Sequence, residues 1–452
     1  MANTEIRRTS GSTPTNAKKF TVSLWFKLSK IGSANGLFGW RENSNDGNNN
    51  LFVRIATGGT FDIYFTSNNG NDTHIALVTN RLFRDCNSWY HAVISVDSTQ
   101  GTSSNRVKLY INGVQETSFS SSTYPAADRT FFSNDVQINF GKTKSTTGSD
   151  TYLEGIESHI HFTDGYAYAA SDFGSTDSTT GEWKIKTSPS VTYGNNGFWW
   201  LKDNIATTDH SPNSNTFSVG NGTLTKTEDN PSNVFATLNP LVNTNSNLTL
   251  SKGNNTMTLG STSWIGTVST LAIPKGKFYW EVKVNSYNLM HGILGETANI
   301  TDLSTANSGY IGKHSNGYAF YWQSPNANKQ NNNSHTSYGS SISNGDILMV
   351  AFDGDNGIIW VGKNGAWFNN ATQTEIENGT TTNAMYSSIP TTEEYFVGSS
   401  GESSHEANYN FGNGYFGTTA VASAGTNASG NGIFEYDVPT GYTALSTKGL
   451  NL

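Results

Sequence analysis

Carboxylate pairs are the first residues in this sequence whose chemistry could be catalytic. Glycoside hydrolases place two carboxylates on either side of the sugar bond that they cleave, close enough to act together. Glu154 and Glu157 are three residues apart, so they face opposite sides of a strand, and the adjacent Glu393 and Glu394 also diverge. Because neither pair has the required arrangement, we predict that the chain is not an enzyme.

Cysteine and histidine offer two further kinds of chemistry. Cys86 is the single cysteine, so no intramolecular disulfide forms, and it lies in a turn-like stretch without a placed base. His159 and His161 are two residues apart on one face of a predicted strand, a spacing that zinc accepts. A third ligand is missing from this pattern, so we predict neither a catalytic thiol nor a zinc site.

Three aspartates lie in loops that could offer oxygen ligands to a calcium ion. Calcium takes several oxygen ligands from flexible loops. Asp46, Asp72 and Asp150 lie in loops rich in Asn, Gly and Ser, and none of them has the spacing of an EF-hand. We predict a chain without a cofactor, and a structural calcium ion is the open alternative.

Aromatic side chains are the strongest binding candidates. Trp and Tyr present apolar faces beside a polar atom, and the C–H faces of sugars stack on such rings. Five residues in or beside predicted loops are therefore candidate ligand contacts: Trp264, Tyr287, His291, Trp322 and Trp367. The alternative is that most of them pack in a core or at its rim. The polar segment 326–333 is predicted to be a loop tip nearby.

The elements that must position these residues are β-strands. Charged residues make up only 14% of the 452 residues, and Asn, Ser, Thr and Gly take their place, as in strands joined by tight turns. Alternation from Phe20 to Leu28 puts every second, apolar residue on one face. Asn112-Gly113 predicts a type I′ hairpin turn. Residues 167–173 are expected to form one short helical turn, and no amphipathic helix of about 12 residues is expected.

Composition along the chain divides it into four segments. We predict a first β-strand domain over residues 1–202, a linker or packed connection over 203–254, a second β-strand domain over 255–416 and a tail or attachment segment over 417–452. The connection is rich in Asn, Thr, Ser and Pro and carries a few apolar islands, which favours packing against a domain.

The polar N-terminal segment, residues 1–19, carries two basic pairs, Arg7-Arg8 and Lys18-Lys19. One interpretation is an arm that anchors the protein to an acidic surface. The other, which we favour, is a first edge strand followed by a turn at Pro14.

The first domain resembles the laminin-G/concanavalin-A-like superfamily. Trp89, Tyr90 and His91 begin an alternating strand, and a second strand from Val107 ends in Tyr110-Ile-Asn-Gly113, as in that family. The second domain is similar to SPRY domains. Its matching elements are Gly276–Val284, Gly345–Asp353, Ile358–Trp360 and Phe411-Gly412. Together these resemblances imply an all-β chain of two tandem antiparallel β-sandwiches, a concanavalin-A-like jelly roll and then a SPRY-like sandwich.

The order of these parts is similar to that of surface proteins of marine bacteriophages, which end in a segment like residues 434–441. That resemblance implies a virion surface protein, a fibre or a capsid decoration, that adheres to a host surface glycan or protein. It also implies other virion proteins as partners and a homo-oligomer such as a trimer, because virion appendages follow particle symmetry.

Charge and hydropathy limit the kinds of partner and the location that we expect for this protein. A net charge of −8 and a pI of about 5.6 argue against a nucleic-acid binder, which needs a basic surface. No stretch approaches the ~20 apolar residues of a membrane span, and the N-terminus lacks the apolar core of a secretory signal. We therefore expect synthesis in the host cytoplasm and a place on the virion exterior. A secreted carbohydrate-binding adhesin and a polysaccharide depolymerase are the alternatives.

Overall fold

A computed structural model describes residues 3–42, 49–143, 150–202, 207–242, 244–260, 263–285, 288–323 and 325–452. The chain forms two compact units, Met1–Lys226 and Thr227–Leu452. Each unit is built from two facing antiparallel sheets, so the all-β prediction of two tandem sandwiches is confirmed.

The first unit contains an eight-stranded and a six-stranded sheet. Their strand orders are β10-β6-β5-β4-β3-β11-β1-β18 and β17-β14-β2-β7-β8-β9, and the pairs β12-β13 and β15-β16 stand apart. The strands are β1 Glu5–Thr9, β2 Lys19–Leu28, β3 Asn35–Glu42, β4 Asn50–Ile55, β5 Thr60–Ser67, β6 Asp72–Leu82, β7 Tyr90–Asp97, β8 Val107–Ile111, β9 Val114–Glu116, β10 Phe119–Thr123, β11 Val136–Phe140, β12 Lys142–Thr143, β13 Thr151–Tyr152, β14 Gly155–Asp164, β15 Gly174–Thr176, β16 Trp183–Ile185, β17 Phe198–Trp200 and β18 Ser218–Asn221.

Strand β2 shows why this core forms. Its alternate residues Phe20, Val22, Leu24, Phe26 and Leu28 are fully buried and face the other sheet, as the period-two pattern predicts. Apolar burial of this kind is the main stabilising contribution, at about 25 cal/mol for each Å² removed from water.

A third layer covers the outer face of the six-stranded sheet. Trp25 stacks on His91 with ring centroids 4.7 Å apart, and Trp183 of β16 donates a 2.9 Å hydrogen bond from Nε1 to His91 Nδ1. The hydroxyl of Ser23 lies 2.8 Å from His91 Nε2, so both ring nitrogens are engaged. His91 is therefore a structural residue that joins the sheet to its cover.

The second unit repeats the two-sheet plan. Its eight-stranded sheet has the order β19-β20-β31-β22-β27-β28-β29, with β34 beside β22, and its six-stranded sheet has the order β21-β30-β23-β24-β25-β26. The strands are β19 Leu248–Ser251, β20 Thr256–Leu259, β21 Ile265–Ile273, β22 Lys277–Val284, β23 Leu289–Gly295, β24 Gly317–Gln323, β25 Asn326–Asn331, β26 Ser334–Ser337, β27 Ile347–Asp353, β28 Ile358–Lys363, β29 Ala366–Trp367, β30 Tyr395–Gly401, β31 Glu406–Asn410, β32 Tyr415–Phe416, β33 Thr419–Ala420 and β34 Thr443–Ala444. Segment 326–333 is thus mainly strand β25, so the predicted loop tip is wrong.

Helices are short in both units. The α-helix of the described residues, α1, spans Gln373–Glu377 and begins at a capping box formed by Thr372 and Glu375. The 3-10 turns are Asn68–Gly70, Ser103–Asn105, Ala170–Asp172, Ile300–Ser304, Ile311–Lys313, Phe368–Asn370 and Gly449–Asn451. The turn at Ala170–Asp172 confirms the one predicted within 167–173. Within the described ranges, no helix is long and apolar enough to cross a membrane.

Both segments that the sequence set apart from the sandwiches contribute to cores. Phe217 is buried in the first unit, and Phe235 and Leu238 are buried in the second. The C-terminal segment buries Phe434, Val438, Tyr442, Ala444 and Leu445. The predicted domain boundaries, and the linker and attachment roles, stay predictions.

Candidate functional site

Two predicted contact residues lie inside the core of the second unit. Trp322 is on β24 and is 3% exposed, and His291 is on β23 and is 1% exposed. Nδ1 of His291 lies 2.6 Å from the hydroxyl of Tyr409, and burial holds the pKa of the imidazole well below its usual range. His291 lies in a central strand and not in the predicted loop, whereas Trp322, near the end of β24, points into the core instead of toward solvent.

Trp367, a predicted contact residue, lies at the edge of a sheet, whereas Tyr287 is not described. Trp367 ends the short strand β29, is partly buried and meets Tyr279 edge to face, with ring centroids 6.4 Å apart. It packs mainly as a rim residue of the eight-stranded sheet. Tyr287 lies outside the described residues.

Trp264 is the predicted residue that forms part of a surface. It immediately precedes β21 and lies on the outer face of the six-stranded sheet, beside a small apolar cluster that includes Met290 and Ile311. The pairing of β23 with β24 places Tyr321 opposite Met290, and the pairing of β24 with β25 places Asn328 opposite Tyr321. These outward-facing positions come together because residues paired across an antiparallel ladder share a face.

The aromatic rings on this face contact one another edge to face. Ring centroids of Trp264 and Tyr310 are 5.6 Å apart, and those of Trp264 and Tyr321 are 5.7 Å apart. His335, on β26, lies 6.1 Å from Tyr321. Trp264 and Tyr310 remain partly exposed, whereas Tyr321 is 9% exposed. Edge-to-face packing fixes the indole and leaves part of it open to solvent.

Polar groups border these rings. Asn288 Nδ2 donates to Glu402 Oε1 over 3.1 Å, and the hydroxyl of Tyr310 donates to Asn333 Oδ1 over 2.6 Å. Partial burial raises the pKa of Glu402. Burial, with the nearby Glu402 carboxylate and Tyr310, also raises the pKa of Tyr321. The face therefore combines a fixed indole with carboxylate and amide groups, which suit hydroxyl-bearing ligands.

We call this face the Trp264 surface: Trp264, Asn288, Tyr310, Tyr321, Asn328, Asn333, His335 and Glu402. Of these residues, Trp264 was a predicted ligand contact, and Asn328 and Asn333 lie in the polar segment 326–333 that was predicted to be a loop tip. The sequence gave no sign that Tyr310 and Tyr321 are part of a surface. Alternation along β24 separates inward Phe320 and Trp322 from outward Tyr321, and this signal could have identified Tyr321.

The candidate metal ligands are dispersed. Among the described residues no three His, Cys, Asp or Glu side chains form a group that could hold a metal ion. Asp150 pairs with Lys142 at 2.7 Å, Asp72 begins β6, and Asp46 lies outside the described residues. The calcium alternative stays a prediction.

His159 and His161 lie at a register shift of β14, where His159 has a φ of 46°. Burial, and then the nearby His159, hold the pKa of His161 well below its usual range, and the shared face stays a prediction. His161 is buried, with Nδ1 2.9 Å from the Tyr193 hydroxyl. Cys86 is also buried, and burial raises the pKa of its thiol to about 11, which disfavours the thiolate at neutral pH.

Comparison with known proteins gives a family match for the first unit. Residues 3–156 match the Concanavalin A-like lectin/glucanases superfamily. This match, together with the sheets described above, supports a carbohydrate- or protein-binding module. No curated protein matches the chain significantly.

Solved structures similar to this chain include two SPRY domains. The TRIM65 PSpry domain is 14% identical over 39% of this chain and 88% of its own, with a TM-score of 0.30. The SPRY domain of human HERC1 is 14% identical over 38% and 96%, with a TM-score of 0.29. A heptameric SAP-like pentraxin from Limulus polyphemus is 15% identical over 37% and 71%, with a TM-score of 0.27.

Proposed function

We propose that this protein is a non-enzymatic binding module that attaches to neutral surface glycans through the Trp264 surface. The observation that carries the proposal is the partly exposed indole of Trp264, held edge to face by Tyr310 and Tyr321. A sugar ring stacks its C–H face on such an indole, and neighbouring carboxylate and amide groups bind its hydroxyls.

The charge of the surface favours neutral over acidic sugars. Glu402 is the carboxylate of this face, and it accepts a hydrogen bond from Asn288. An acidic sugar would place a second negative charge beside it, which is unfavourable at short range in a partly desolvated site. Neutral hexoses and amino sugars avoid that repulsion.

The test is binding of the full chain to an immobilised array of neutral glycans. We expect Trp264→Ala to weaken binding by about ten-fold or more, because it removes the stacking surface. Trp367→Ala is the matched control, a partly buried Trp of the same unit on the other sheet, and it should retain binding. Absence of binding by the wild-type chain, or greater loss in Trp367→Ala than in Trp264→Ala, would contradict the proposal.

The absence of catalysis is part of the same proposal. Incubation with the bound glycans should release no reducing ends. Release above the level of a heat-denatured sample would instead support the polysaccharide depolymerase.

The biological setting that we propose is the exterior of a virion, as a fibre or a capsid decoration, with other virion proteins as partners. Its support is the sequence resemblance of the three consecutive parts, including residues 434–441. Mass spectrometry of density-purified particles tests it, with copy number referred to the major capsid protein. Absence from particles, with detection on uninfected cells, would favour the secreted adhesin.

A further inference from the structure

A groove of about 340 Å³ lies in the first unit where strands β1 and β18 separate. Arg7 pairs with Ser218 of β18, whereas Arg8 and Thr9 pair only with β11 on their other side. Side chains that border the groove include both arginines, Gln137 and Thr216. It lies at the Arg7-Arg8 pair that the sequence singled out, and the Trp264 surface does not include it.

Arg8 is half-buried without a close carboxylate among the described residues. One N–H of its guanidinium, on Nη1, donates to the backbone oxygen of Asn196 over 3.3 Å. Burial lowers the pKa of the group, although Asp209 partly opposes this shift. A guanidinium carries five N–H donors, so most of its donors remain for other acceptors.

Asp209 is not the acceptor for the remaining N–H groups of Arg8, because hydrogen-bond donors already occupy both of its carboxylate oxygens. Oδ1 accepts from the backbone N–H groups of Trp199 and Ser211 at 2.9 and 2.8 Å. Oδ2 accepts from the backbone and the side chain of Asn215, both at 2.9 Å. A partly desolvated cation whose nearest acid is satisfied elsewhere is unfavourable unless an anion reaches it.

Arg7 brings a second guanidinium to the groove. Its side chain is exposed, and among the described residues no carboxylate lies within ion-pair distance of it. Glu5, the neighbouring acid on β1, pairs with Lys142 instead. Arg7 and Arg8 are adjacent residues of β1, so their side chains leave opposite faces of the strand and border the groove from its two sides.

We propose that this groove binds the carboxylate or sulfate group of an acidic saccharide. Guanidinium groups bind both oxyanions through paired N–H···O bonds. Thr9, Thr216 and Ser218 also line the groove, and their hydroxyl groups are partners of the kind that sugar hydroxyls use. The net charge of −8 disfavours a long polyanion, so a short acidic segment is the ligand that fits.

Isothermal titration of the full chain carrying Trp264→Ala, which removes the proposed neutral-glycan contact, tests the proposal with three probes: oligogalacturonate, a sulfated dextran oligosaccharide and a neutral dextran oligosaccharide. We expect at least one acidic probe to bind and the neutral one to bind much more weakly. Arg7→Gln and Arg8→Gln should each weaken binding by about ten-fold, the loss typical of a charged hydrogen-bonding partner. Added salt should weaken it further.

Arg84→Gln is the matched control, because Arg84 is an exposed arginine of the same unit that does not border the groove. Equal loss in Arg84→Gln, equal binding of the neutral probe, or no binding of either acidic probe would each overturn the proposal. Oligoglutamate is titrated as a fourth, separate probe, and its binding without binding of either acidic saccharide would also overturn the proposal and indicate a protein partner. Arg7→Gln alters an exposed side chain, so it keeps the test valid if Arg8→Gln impairs folding.

Discussion

At the scale of single residues, Glu281 is the buried carboxylate with the most structural consequence. It lies on β22 and accepts hydrogen bonds from the backbone N–H groups of Glu435 and Tyr436 at 2.9 and 2.8 Å. The Tyr279 hydroxyl donates a third over 2.9 Å. One side chain thus ties the C-terminal segment to a central strand. Burial outweighs these donors and raises the pKa of Glu281 to about 7.

This shift predicts a specific pH dependence of stability. The folded state binds the Glu281 proton more tightly than the unfolded chain, whose carboxyl has a pKa of 4.5. Its contribution is therefore greatest below the unfolded pKa and is lost as the pH rises through about 7. We expect the free energy of unfolding to fall by about 2–3 kcal/mol on this account between about pH 5 and 8.

Urea unfolding of the wild-type chain and of Glu281→Gln at both pH values measures the effect. The Gln side chain does not titrate, so the difference between the two proteins should carry the pH dependence. Glu394→Gln, an exposed glutamate of the same unit, is the control and should follow the wild type. Parallel curves for wild type and Glu281→Gln would show that Glu281 does not titrate in this range.

At the scale of elements, the hairpin between β8 and β9 couples a turn to the covering layer. Asn112 and Gly113 have φ values of 48° and 81°, as a type I′ turn requires, so the turn predicted from the sequence is confirmed. A Cβ atom at Gly113 would collide with the ring of Trp183. Only glycine allows both this backbone conformation and the close approach of the indole.

We therefore expect Gly113→Ala to destabilise the first unit by about 1–3 kcal/mol, since strain at positive φ adds to displacement of Trp183. The indole also donates to His91, so its displacement should change tryptophan fluorescence of the folded protein. Gly101→Ala is the control, because its Cβ would meet open space. Equal urea midpoints for the two variants would contradict the argument.

At the scale of the whole molecule, each unit draws its core from segments beyond its two sheets. The second unit buries Phe235 and Leu238 from the segment before β19. From the C-terminal segment it buries Phe434 and Tyr442. These residues cover apolar side chains on the outer and inner faces of the eight-stranded sheet. Without them, the sheets would expose that apolar surface to water.

Two fragments test this dependence. A fragment of residues 227–452 should fold and unfold cooperatively on heating, because it retains all of these buried residues. A fragment of residues 255–416, the second sandwich as predicted from the sequence, should aggregate or melt at a much lower temperature. Circular dichroism measures both, and equal melting temperatures would show that the flanking segments are dispensable.

Sequence patterns predicted the fold well because strand alternation and turn chemistry are local. Phe20 to Leu28 required no knowledge of the rest of the chain to place one face inward, and Asn112-Gly113 required none to form a hairpin. The candidate site was predicted poorly. Of the five proposed contacts, Trp264 lies on the surface that we propose, whereas Trp322 and His291 are buried.

The sequence by itself determined that the chain is built from strands and which residues of a strand share a face, since both depend on neighbours along the chain. Only the tertiary structure decided which face is covered. Trp264, Tyr310 and Tyr321 come together through packing between segments that are distant in sequence. The groove beside Arg7 and Arg8 likewise exists because the pairing of β18 with β1 begins only at Ser218, and no local pattern encodes that starting point.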